Sequence, residues 1–149
     1  MNNIAIASDH GGYDLKKEII GYLKEMNYSY RDFGCYDKKS VHYPDYAYKV
    51  SQAIIEKEFD CGILICGTGI GMSIAANKVK GIRASLCHDS FSARMTREHN
   101  DSNVLTMGGR VIGAGLAKDI VNTWLTKEFS QESRHVVRLQ KIDKTYDNC

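Results

Sequence analysis

Cys66-Gly67-Thr68-Gly69-Ile70-Gly71 is the segment of this 149-residue chain best suited to chemistry. Glycines at alternate positions let backbone N–H groups turn toward an anion, and a helix beyond them adds its positive end. A thiol near a helix N-terminus can have its pKa lowered, and a thiolate poised near neutrality can serve as general base or nucleophile. The segment is not a dinucleotide fingerprint. With Gly67 and Gly69 as the first pair, the third glycine would fall where Met72 stands. A P-loop is excluded too, because the terminal Gly-Lys-Ser/Thr is missing. Most free cysteines simply pack as small hydrophobes. That bland reading suits Cys61 and Cys87, which lie in or beside apolar runs, whereas the neighbours of Cys66 set it apart. Cys35 and Cys149 offer no functional argument.

Other polar groups are candidates by position. Asp9-His10 comes directly after an apolar run; an acid beside an imidazole can orient it, bind a hydroxyl or assist proton transfer. The competing explanation is a polar loop or a helix cap. His99-Asn100-Asp101 ends a helical stretch, where a histidine is also favoured simply by the helix dipole. Arg134-His135-x-x-Arg138 puts two arginines on one helical face, an arrangement that suits a phosphate. Its alternative is a solvated basic face paired with Glu128 or Glu132. Arg110 comes after Gly108-Gly109, and His42 and His88 carry less weight. Cys61 and Cys66, five residues apart across a strand, would not face one point, and no Cys/His cluster has zinc spacing.

The elements that must position these groups alternate. Residues 3–8, 61–65, 82–86 and 103–107 read as short apolar strands, with 28–33 a weaker, alternating one. Leu15, Ile19, Leu23 and Met26 recur at helical spacing, and Pro44 opens a second helix ahead of Ala47, Val50, Ala53 and Ile54. Further helices are expected over 71–80, 90–98 and 116–126. The βαβ alternation predicts a Rossmann-like three-layer α/β sandwich, its parallel sheet of about five strands covered by helices on both faces. Ligands of such sheets bind beyond the carboxyl ends of the strands. That edge receives Asp9-His10, Cys66 to Gly71, Cys87-His88-Asp89 and Gly108-Gly109-Arg110 together. A tail helix over 132–146, with Val136 or Val137, Leu139 and Ile142 apolar, must bury its stripe on its own domain or on a second subunit.

Composition agrees with a small-molecule enzyme. Twenty Lys+Arg against 18 Asp+Glu leave +2, too near neutral for nucleic acid as the main partner. Five cysteines without a CxxC pair suit free thiols in a reducing compartment. The start lacks a basic n-region and no apolar stretch reaches membrane-helix length, so a cytoplasmic protein is expected. With no linker or repeat, residues 1–149 are expected to form a single domain.

In order, these segments resemble the type B ribose-5-phosphate isomerases, a family that also holds galactose- and allose-6-phosphate isomerases. The resemblance is carried by Ser8-Asp9-His10-Gly11-Gly12, Tyr43-Pro44, the stretch from Gly62 through Gly71, Ser73-Ile74-Ala75-Ala76-Asn77-Lys78 and Gly81-Ile82-Arg83-Ala84. It continues through His99-Asn100-Asp101, Asn103-Val104-Leu105, Gly109-Arg110 and the tail arginines, with no usable match beyond Lys141. It implies that Cys66 is the base that forms an enediol; members lacking this cysteine use a glutamate elsewhere. Thr68 is implied to assist at the sugar oxygens, and the amides of Gly67, Thr68, Gly69, Ile70 and Gly71 to cradle the enediolate. His99 is implied to open the furanose ring with Asn100 beside it, Asp9 and His10 to bind the sugar, and Arg110, Arg134 and Arg138 to grip the phosphate. The same resemblance implies a homodimer, or dimers paired into a tetramer, with the tail helix at the interface and each site built from both subunits. It implies neither metal nor redox cofactor, and a place in the pentose phosphate pathway. Two alternatives stay open from sequence. One is a hexose 6-phosphate (allose or galactose) as substrate. The other is a non-catalytic sugar-phosphate-binding module, which would gain nothing from a cysteine base.

Overall fold

The computed structural model describes residues 1–145, so Tyr146 and Cys149 of the tail lie outside the described residues. Five parallel strands form one sheet in the order β2-β1-β3-β5-β4: β1 (Asn3–Ser8), β2 (Ser29–Asp32), β3 (Cys61–Cys66), β4 (Ala84–Leu86) and β5 (Val104–Gly108). The period-2 alternation of β1 and β3 divides their side chains between two cores. Ile4, Ile6, Cys61, Ile63 and Ile65 meet α1 (Tyr13–Glu25) and α5 (Ala114–Thr126) through Leu15, Ile19, Leu23, Ile120, Val121 and Trp124. Ala5, Ala7, Leu64 and Cys66 meet α2 (Tyr43–Ile55) and α3 (Ile70–Ala76) through Ala47, Val50, Ala53, Met72 and Ala75. Helices therefore cover both faces, as the expected three-layer sandwich requires. Cys61 and Cys66 belong to opposite cores, which keeps their thiols apart.

The boundaries differ from the sequence pattern where side chains intervene. Helix α3 stops at Ala76 rather than running to residue 80. The Asn77 amide donates to the Ser73 and Ala84 carbonyls, and its oxygen accepts the Ala84 N–H, so this side chain ends the helix and anchors the next strand. Strand β4 keeps only three residues, and Ile82 turns into the second core instead of joining the ladder. Helix α4 (Ser90–Asn100) is capped by Asp89, whose carboxylate accepts the Ser92 N–H at 2.7 Å, and extends past residue 98 so that His99 and Asn100 fall in its last turn. Helix α6 (Ser133–Thr145) packs on α4. It buries His135 and Leu139 at i and i+4 and leaves Val137 and Ile142 about half exposed.

Chain direction reverses between β1 and β3: the β1–β2 connection moves one way across the sheet, and the chain after β2 returns to the other side of β1. That switch point is where an open α/β sheet leaves a crevice. The loop after β1 is pressed against β3 there. A Cβ on Gly12 would lie 2.2 Å from the Ile65 carbonyl oxygen. Gly12→Ala is expected to cost about 3 kcal/mol or more through overpacking against backbone. Gly21→Ala, in the middle of α1 with nothing within 4 Å of the new methyl, should add about 0.5–1 kcal/mol. Denaturant unfolding of both variants checks the pair.

Candidate active site

Three loops close over the carboxyl edge through backbone contacts. The Asp9 N–H donates to the Ile65 carbonyl at 3.1 Å, the Gly109 N–H to that of Cys66 at 2.8 Å and the Arg110 N–H to that of Gly67 at 3.0 Å. Cys66 is the last residue of β3 and 4% exposed. Its Sγ accepts the Gly69 N–H at 3.1 Å, so the loop folds back on the sulfur. Gly69 holds φ at +78°, and a Cβ there would lie 2.5 Å from Leu86 and 2.7 Å from the Met107 backbone. Only glycine satisfies both demands. Thr68 is exposed at the loop tip, where its Oγ1 accepts the Ile70 N–H at 3.3 Å. The exposed Arg110 side chain lies over Gly67, with Nη1 3.6 Å from where a Cβ would stand.

The β1 loop supplies the facing wall. Asp9 is buried, and its Oδ1 accepts the Gly12 N–H at 3.0 Å within the loop ahead of α1, whose N-cap is Gly12 with no side-chain cap bond. The Val41 N–H donates to His10 Nδ1 at 3.3 Å. With Nδ1 accepting, the neutral ring carries its proton on Nε2 and offers it outward as a donor. Val41 belongs to the long β2–α2 loop, which the buried Lys16 fastens at its root. Its Nζ donates to Asp32 Oδ1 and Oδ2 at 2.7 and 2.8 Å and to the Cys35 carbonyl at 2.6 Å. Tyr43, the first residue of α2, lays its ring over Gly71, 2.6 Å from where a Cβ would stand. A backbone N–H leaves no signal in sequence, so the Val41 contact could not have been read there.

His99, Asn100, Arg134 and Arg138 do not join this group within the chain. In a parallel sheet each helix returns to the edge where the strands begin. The N–H of Gly62, near the start of β3, donates to the carbonyl of Asn103, just beyond α4, whereas Cys66 lies four residues further along. At the usual rise the two levels are about 13 Å apart. Around His99 a second cluster forms. The His99 and His135 rings stack at 4.2 Å between centroids, and His135 Nδ1 shares a 2.8 Å hydrogen bond with Ser130 Oγ. His135 was no site candidate on sequence, although its place four residues before Leu139 marks it as part of the buried stripe. Arg134 pairs with Glu132 at 2.8 Å, as the solvated-face alternative anticipated, while Arg138 is exposed and makes no ion pair among the described residues.

Burial pushes Cys61 and Cys87 up to about 12, which removes both as bases near neutrality.

At the switch point, past the carboxyl ends of the central strands, stand a strand-end thiol, loop amides, a hydroxyl and a guanidinium. The sequence model described as Ribose/Galactose Isomerase matches residues 4–142. The chain belongs to this ribose/galactose isomerase family. It is 57% identical over 140 residues to the putative sugar phosphate isomerase YwlF of Bacillus subtilis (strain 168), covering 93% of each chain. It is 46% identical over 142 residues to ribose-5-phosphate isomerase B of Escherichia coli (strain K12), covering 95% of each. Among solved structures, ribose-5-phosphate isomerase B of Clostridium thermocellum superposes with a TM-score of 0.96 at 53% identity, covering 98% of both chains. These matches make the chain an aldose–ketose isomerase of the type B fold. Among the described residues no helix is long and apolar enough to cross a membrane.

Burial first, and the neighbouring His99 second, hold His135 below its ordinary histidine value. Its charged form is therefore disfavoured in the folded protein. Docking of α6 should be complete above about pH 6.5, the ordinary value, and should weaken as pH falls through the lowered one. The groups facing the ring are His99 of α4, Ser130 of the preceding loop, and Glu132, Arg134 and Arg138 beside it. Amide protection factors across α6 at pH 7.5 and pH 5 should fall in the wild type and stay level in His135→Phe.

Proposed function

We propose that this protein interconverts ribose 5-phosphate and ribulose 5-phosphate in the pentose phosphate pathway of the cytoplasm, as a single domain over residues 1–149, with Cys66 as the base. The observation that carries the reading is the Cys66 thiol at the end of β3, with the Gly69 N–H on its sulfur 3.1 Å away. Cys66 takes the C2 proton of the open-chain aldose and returns it to C1 on the same face, while the proton on O2 passes to O1. C1 is reduced as C2 is oxidised within one molecule, so the electrons balance without a redox partner. Negative charge on the enediolate oxygen meets the amides of residues 67–71, donors of a kind worth ~3–4 kcal/mol each when preorganised. Thr68 hydrogen-bonds the sugar oxygens, Asp9 and His10 hold hydroxyls, and Arg110 with Arg134 and Arg138 takes the phosphate.

Ring opening by His99, aided by Asn100, requires a second copy of the chain, because α4 ends at the opposite sheet edge from Cys66. A two-fold dimer brings the His99 edge of one protomer to the Cys66 edge of the other, with α6 at the junction. The outward Val137 and Ile142 give α6 an apolar surface to use there. Pairing of such dimers into a tetramer is compatible with the same sites.

Cys66→Ala and Cys66→Ser should abolish turnover in folded protein while ribose 5-phosphate still binds by calorimetry. Full activity of a clean Cys66→Ala preparation would end the assignment of the base. Exchange of the substrate C2 hydrogen with solvent, lost in the same variant, separates an isomerase from a binding module. Rates with allose 6-phosphate and galactose 6-phosphate alongside fix the substrate.

A mixing experiment examines the shared site. Inactive Cys66→Ala and His99→Ala proteins, unfolded together and refolded, should recover about a quarter of wild-type activity: half the sites in half the dimers, as two-fold symmetry dictates. No recovery would put both residues in one protomer's site.

A further inference from the structure

The turn just beyond His99 and Asn100 is bound more heavily than a helix end requires. Asp101 closes α4 in the left-handed region, at φ 44° and ψ 48°. Asp and Asn tolerate that conformation better than other residues with a side chain. Its two carboxylate oxygens go to different arginines: Oδ1 accepts Arg97 Nη1 at 2.9 Å, and Oδ2 accepts Arg83 Nη2 at 2.9 Å. Arg83 Nε also donates to the Asp101 carbonyl at 3.0 Å. Arg97 is 6% exposed and reaches on to the Ser102 carbonyl at 2.6 Å and the Lys127 carbonyl at 3.4 Å. Its guanidinium lies over Trp124, whose Nε1 donates to Ser102 Oγ at 2.8 Å.

The same network reaches the base of α6. Beyond Lys127, the Ser130 N–H donates to the Glu98 carbonyl at 3.0 Å, and Ser130 Oγ holds His135 against His99. Arg83 comes from the chain entering β4, Arg97 from α4, and Lys127 from the end of α5. Two elements thus meet at one carboxylate, next in sequence to the pair assigned to ring opening, and Arg97 ties that meeting point to the end of α5.

We propose that Asp101 is a positioning residue that fixes the aim of His99 and Asn100 by dividing its carboxylate between Arg83 and Arg97. This rests on the ring-opening role given to His99 above. Asp101→Asn keeps the size and the tolerance for left-handed backbone but removes the charge that holds two guanidinium groups.

The test compares two aldoses. Ribose 5-phosphate is mainly cyclic, whereas erythrose 4-phosphate carries its phosphate on the oxygen that would close a furanose ring and is open-chain. Asp101→Asn should lower kcat/KM for ribose 5-phosphate by about ten- to a hundred-fold, the usual scale of a misplacement near 1 Å, and leave erythrose 4-phosphate within about twofold. In a His99→Ala background the same change should cost nothing further, since the two act as one unit. Equal losses on both sugars, no loss on either, or additive losses in the double variant would overturn the proposal. Should Asp101→Asn fail to fold by thermal unfolding, Arg83→Gln carries the same comparison. If His99→Ala itself falls equally on both sugars, the ring-opening reading is wrong, and the double-variant comparison still decides whether Asp101 acts through His99.

Discussion

A parallel sheet returns every connecting helix to the edge from which its strands set out, and this sorts the polar residues of the chain into two groups. Residues just past the end of a strand gather at one edge: Asp9, His10, the segment from Cys66 to Gly71, and Arg110. Residues that close a helix are carried to the other: His99 and Asn100, with α6 packed on their helix. With Cys66 moving the proton and His99 opening the ring, as proposed, neither group is complete by itself. Pairing of two chains would then follow from strand direction as much as from any interface side chain.

At the carboxyl edge the limiting quantity is space between backbones. Gly12 lies against the Ile65 carbonyl, Gly69 against Met107 and Gly109 against the Gly11 carbonyl, each too close for a methyl group. Loops packed this tightly exchange N–H and carbonyl partners directly, as Asp9, Gly109 and Arg110 do with Ile65, Cys66 and Gly67. The loop after β2 is different. It is long and irregular, and a buried ammonium at Lys16 holds its root while Val41 and Tyr43 reach the site.

Much of this architecture is legible in sequence because its strands are short apolar runs and its loops begin with Asp-His-Gly-Gly, Cys-Gly-Thr-Gly or Gly-Gly-Arg. Hydrophobic periodicity overran α3 because it cannot see Asn77 diverting its amide to close the helix. It extended β4 because Ile82 is apolar for the sake of the second core, not of the ladder. Sequence order also set His99 beside the other candidates without revealing that its helix carries it to the far edge. Arg134 shows the same limit: two arginines on one helical face suit a phosphate in sequence, yet within the chain Arg134 makes a surface ion pair with Glu132.

The outermost strands have a consequence for assembly. β2 and β4, with four and three residues, are the shortest in the sheet and flank interior strands of five or six. Stubby borders offer few free N–H and carbonyl groups to a passing chain, so growth by adding strands is poorly templated. The pairing proposed for function falls instead to the helical layers. The brevity of the sheet's own margins thereby steers the chain away from fibres.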